Sequence, residues 1–123
     1  MAQYLIGVVG EPDYATLTNA DLQQIMEDVD VVLADLRAEG VFVFAGGLGR
    51  DDTASVVDAT TGETVVTDGP FTESKETMGG FTIVEAPDLA TAQKWAARFS
   101  AACRCPQEVR PIVGPPEVDG EEG

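Results

Sequence analysis

The residues with the most chemical possibility lie together in one stretch, Thr67-Asp68-Gly69-Pro70-Phe71-Thr72-Glu73-Ser74-Lys75-Glu76-Thr77-Met78-Gly79-Gly80. It sets turn formers, an aromatic ring and four charged groups between runs rich in Val and Thr, more functional groups than a connection needs. Asp68 stands before Gly69-Pro70, where an aspartate accepts hydrogen bonds from the next backbone amides and closes a turn. That structural reading is the favoured one. The functional reading gathers Asp68, Phe71, Glu73, Lys75 and Glu76 around a cleft or loop, with Lys75 holding a substrate carboxylate and a partly desolvated acid acting as base. Gly79-Gly80 is expected to let the loop re-enter a sheet, since glycine adopts positive φ at little cost.

Other groups are weaker candidates. Gly46-Gly47-Leu48-Gly49 lacks the lysine and spacing of a phosphate-binding loop, and no helix pattern follows, so a bulge or turn at a strand end is expected. Asp51, Asp52 and Asp58 do not form a calcium-loop pattern. Cys103-Arg104-Cys105 has no further Cys or His to complete a zinc site. Bridging two cysteines so close in sequence would close almost no loop, so two reduced, inert thiols are expected. No metal and no cofactor is expected.

The elements that must position these groups follow from periodicity. Gln3 to Val9 alternates as a strand with Tyr4, Ile6 and Val8 on one face and Leu5 and Val9 on the other, both apolar. Thr18 and Asp21 form a capping pair that opens a helix, with Leu22, Ile25, Met26, Val29, Leu33 and Leu36 at helical spacing and Gly40 ending it. Val41 to Ala45 is a second strand without a polar face, stopped by the glycines after it. Residues 54–59 and 64–67, turned by Thr60-Thr61-Gly62-Glu63, predict a hairpin that projects as an arm. Phe81 to Ala86 is a further strand. Pro87-Asp88 starts a second helix carrying Leu89, Ala92, Trp95, Ala96 and Phe99 on its inner stripe. Glu108 to Val113 is the last strand, and Pro111 places it at an edge or at a strand end.

Strand, helix, strand, arm, strand, helix, strand is the order of a ferredoxin-like α+β unit: an antiparallel sheet with two helices on one face. Two helices cover one side of such a sheet, yet the strands at 3–9 and 41–45 are apolar on both. A second copy of the chain, joined sheet to sheet into a dimeric α/β barrel, is the simplest cover. The 123 residues suit one domain over 1–113, and the acidic, proline-rich 114–123 reads as a mobile tail. Twenty-two acidic against seven basic side chains, net charge −15, would repel nucleic acid. No apolar run is long enough to span a bilayer and the start lacks the basic segment of a secretion signal, so a cytoplasmic protein is expected.

Through Thr67-Asp68-Gly69-Pro70-Phe71, Glu73, Lys75-Glu76 and Gly79-Gly80, the chain resembles the DGPF-domain group of the YCII-related proteins. Pro87-Asp88-Leu89, Trp95-Ala96-Ala97-Arg98 and Val109-Arg110-Pro111-Ile112 extend the likeness over nearly everything before the tail. The resemblance implies a dimeric ferredoxin-like barrel and, through relatives encoded beside sigma factors, a tie to sigma-factor signalling. A His–Asp pair proposed as catalytic in the wider group does not carry over, because this chain has no histidine. Two functional classes stay open: a small-molecule-binding or regulatory module, and a cofactor-free enzyme of isomerase, lyase or oxygenase type that uses carboxylates in the barrel cleft. The first is favoured, since without histidine only carboxylates with raised pKa could serve as acid or base at neutral pH.

Overall fold

The computed structural model describes residues 1–9, 16–49, 54–68 and 78–114. Its elements run β1 (Ala2–Val9), α1 (Asn19–Ala38), β2 (Phe42–Gly47), β3 (Ser55–Asp58), β4 (Val65–Asp68), β5 (Met78–Ala86), α2 (Leu89–Cys103) and β6 (Gln107–Ile112). Among the described residues four strands form one antiparallel sheet in the order β2-β5-β1-β6, while β3 and β4 pair with each other in a separate two-stranded sheet. This is the α+β architecture expected from the sequence, with an antiparallel sheet and two helices in a ferredoxin-like arrangement. The acidic stretch 115–123 lies outside the described residues.

The helix ends are written in the sequence. At Thr18 the hydroxyl accepts from the Asp21 amide at 3.1 Å while the Asp21 carboxylate accepts from the Thr18 amide at 3.0 Å, a reciprocal capping box. At the other end of α1, Gly40 takes φ +72°, and the amides of Gly40 and Val41 reach back to the carbonyls of Arg37 and Leu36. That double return is a Schellman closure, which needs a left-handed residue where a side chain would be strained. Asp88 caps α2, accepting from the amide and hydroxyl of Thr91 at 2.8 and 2.7 Å.

One face of the sheet carries the core. Tyr4, Ile6, Val84 and Ala86 pack against Val32 and Leu36 of α1 and against Ala92, Trp95, Ala96 and Phe99 of α2. Two ion pairs fasten the helices to each other, Asp35 with Arg98 at 2.6 Å and Asp21 with Arg104 at 3.6 Å. The α1 stripe is turned from the one drawn on the sequence: Val32 is buried and Met26 is exposed. At 3.6 residues per turn Met26 lies about 80° round the helix from Leu36, on the outer shoulder of the stripe. Leu89, the first residue of α2, is likewise exposed.

Both glycine pairs differ from their expected roles. Gly46 and Gly47 do not stop β2 but continue it, pairing with Phe81 and Gly80, and β5 begins at Met78 rather than after Gly79-Gly80. None of these four has positive φ. Their smallness serves close approach: a Cβ at Gly80 would stand 3.2 Å from the Gly46 carbonyl oxygen. The register of β1 on β5 shifts between Gly7 and Val9, opposite the stretch that contains Gly79 and Gly80.

Among the described residues, the opposite face of the sheet carries no helix. Phe44 stacks on Phe81 with ring centroids 5.8 Å apart, yet is 55% exposed. Of the two outer strands, β6 carries Pro111, as expected for an edge, together with a Glu108–Arg110 ion pair.

Candidate functional site

The chain leaves the sheet at Gly47 and re-enters it at Met78, and the arm β3–β4 belongs to the excursion between. Asp58 sets the arm's turn, accepting from the Thr60 amide at 2.9 Å and the Thr60 hydroxyl at 2.7 Å, and these bonds hold its carboxyl below the ordinary aspartate pKa. Its Oδ1 thereby closes the turn, and Asp51 and Asp52 lie outside the described residues. Among the described residues no three acidic, Cys or His side chains converge as a metal site. Asp68 is the last residue of β4, exposed and paired across the arm with Ser55. Phe71, Glu73, Lys75 and Glu76 lie outside the described residues.

At the same end of the sheet a cleft of about 370 Å³ opens between the sheet and both helices. Ile6 and Val8 of β1, Val29 and Leu33 of α1, and Phe99 of α2 supply its apolar walls. Its floor is the place where β2 and β5 meet, Ala45-Gly46-Gly47 beside Gly79-Gly80-Phe81-Thr82. The pairing explains the opening: Gly47 and Gly79 put no side chain into the space below the helices, whereas a Cβ at Gly46 would meet the Phe44 and Phe81 rings instead. The twin Gly-Gly pairs were visible in the sequence, but only their cross-strand register, Gly47 opposite Gly80, joins them into one floor.

The polar side chains on the described wall are the Thr82 hydroxyl and the Cys103 thiol. Burial, then the neighbouring Cys105, pushes the Cys103 thiol up to about 11. Burial also raises the pKa of Cys105. Both are free thiols, and Cys103 is protonated at neutral pH, so it faces the cleft as a small weakly polar group and not as a nucleophile. Arg98 and Arg104 are engaged with Asp35 and Asp21 away from the cleft, so no cation on the described wall is available for an anionic ligand. A wider groove between α2 and β6, about 500 Å³, is lined by Gln93, Ser100 and Gln107 and has no charged side chain on its described wall either.

Residues 2–113 match the YCII-related domain. The chain belongs to the YCII-related domain family. The cleft lies inside the matched region of this YCII-related domain, as do the two helices and six strands of the described residues. The chain is also similar to an uncharacterized protein of Rhizobium meliloti (strain 1021), 35% identical over 96 residues that cover 71% of this chain and 77% of the relative. No helix among the described residues of the YCII-related domain is long and apolar enough to cross a membrane.

Proposed function

We propose that this YCII-related protein is a small-molecule-binding or regulatory module that performs no covalent chemistry on its ligand. The observation that carries this reading is the wall of the cleft. An acid–base or nucleophilic mechanism needs a titrating group near neutral pH within reach of the ligand, and the described wall offers a hydroxyl and a protonated thiol. A concave, apolar site with few polar groups suits reversible binding. The module works in the cytoplasm as a homodimer closed into an α/β barrel through the helix-free face, which the exposed Phe44 supports. Thr67-Asp68-Gly69-Pro70-Phe71 supports membership of the DGPF group, and the tie to sigma-factor signalling rests on that resemblance alone.

A thermal-shift screen of metabolites tests the reading, because a ligand that binds only the folded state raises the midpoint, by about 2.7 kcal/mol of stability at a hundredfold excess over Kd. At least one metabolite is expected to stabilise the protein and to be recovered unchanged by mass spectrometry. Turnover of the stabilising compound would overturn the non-catalytic reading in favour of a cofactor-free enzyme.

A further inference from the structure

Resting on the binding-module reading, we infer that the ligand of the cleft is an uncharged, largely apolar small molecule, and that Gly47 and Gly79 set the depth to which it enters. The charge argument comes from the wall. An ionised group entering an apolar site without a partner loses hydration that nothing replaces, and the described lining offers no ionised side chain of either sign. The field of the chain adds to this for anions, since net charge −15 repels them before they arrive. What the lining does offer a neutral molecule is dispersion contact with Ile6, Val8, Leu33 and Phe99 and weak hydrogen bonding at Thr82 and Cys103.

The depth argument comes from the floor. Ala45 lines the cleft, and two residues along the same strand Gly47 is on the same face. A Cβ built at Gly47 meets nothing within 4 Å, and one at Gly79 meets only Cγ1 of the cleft residue Val8 at 3.9 Å. Neither glycine needs positive φ and neither spot is crowded, so backbone geometry does not account for the missing side chains. Gly80 differs, since its Cβ would press on the Gly46 carbonyl oxygen. Larger residues at 47 and 79 would therefore occupy the space the ligand takes while the strands stay paired.

Two dyes with one ring skeleton test the inference: N-phenyl-1-naphthylamine, uncharged at neutral pH, and its sulfonate, 8-anilinonaphthalene-1-sulfonate. The neutral dye is expected to brighten with saturation and to bind at least about tenfold more tightly than the sulfonate, as an unpaired charge in an apolar site requires. Gly47→Leu and Gly79→Val are expected to abolish that signal while circular dichroism shows the parent's folded spectrum. The neutral dye should also slow N-ethylmaleimide labelling of Cys103, read by peptide mass spectrometry, a measurement that stands if a variant fails to fold. Equal or tighter binding of the sulfonate overturns the charge class and leaves the binding module intact. Neutral-dye binding that survives both folded variants and leaves Cys103 labelling unchanged overturns the assignment to this cleft. If neither dye binds, the inference fails; if the metabolite screen also finds no stabilising compound, the binding-module reading falls with it.

Discussion

At the scale of single residues, Asp21, Asp58 and Asp88 are each spent on a cap or a turn. Asp88 is an example: its carboxylate closes the first turn of α2 through the Thr91 hydroxyl and amide, which hold its pKa below the ordinary value. A depressed folded pKa means that the stabilisation is present above the unfolded pKa and is lost as pH falls through the folded one. Asp88→Ala is therefore expected to lower the urea midpoint at neutral pH, with the difference from the parent narrowing below about pH 4. Asp88→Asn should retain most of the parent's stability at neutral pH, since asparagine caps as well as aspartate does. Equal losses for the two variants would count against the cap. For Asp68, a turn-closing role predicts that Asp68→Ala loses about 0.5–2 kcal/mol in chemical denaturation and leaves ligand binding untouched. An unchanged or higher midpoint would speak for a charge held in the open for a ligand.

At the scale of elements, what was legible followed local rules and what was not depended on register. The Thr18–Asp21 box, the Gly40 stop and the Asp88 cap are contests between a few neighbouring groups, so the sequence states their outcome. The same holds for Trp95 and Phe99, buried as their spacing required. The exposure of Met26 and the continuation of β2 through Gly46-Gly47 depend on how α1 is turned over the sheet and on which strand lies alongside. Those facts belong to no single window of residues. The cleft was hidden for the same reason, since its floor is a pairing between strands more than thirty residues apart in the chain. Gly40→Ala gives the element-scale prediction: forcing a side chain into φ +72° should cost about 1–2 kcal/mol by denaturant melting. A neutral outcome would mean that the C-terminal turn of α1 rearranges freely. For comparison, Phe99→Ala removes a buried ring and should cost about 3–5 kcal/mol.

At the scale of the molecule, charge and uncovered surface act against each other. Net charge −15 opposes both compaction and pairing of copies. Raising salt from about 10 to about 150 mM, which shortens the Debye length from about 30 to about 8 Å, should therefore raise the melting temperature and strengthen the dimer. A melting temperature that falls over that range would show attractive ion pairs to dominate. Light scattering after size exclusion is expected to give a dimer mass at micromolar concentration, and Phe44→Asp, on the helix-free face, a monomer mass with a folded spectrum. A parent monomer at every concentration would sink the barrel. The strand order has one further consequence, for synthesis. β1 leaves the ribosome first, yet both its neighbours, β5 and β6, are made last, with Gln3 pairing to Ile112. The nascent chain must hold a strand apolar on both faces without a partner until almost the whole domain has emerged, so folding of the domain waits for β6 and closes its longest loop late. Ribosome-bound chains halted before Gln107 should thus remain protease-sensitive, and chains extended well beyond Ile112, past the exit tunnel, should become resistant in a single step.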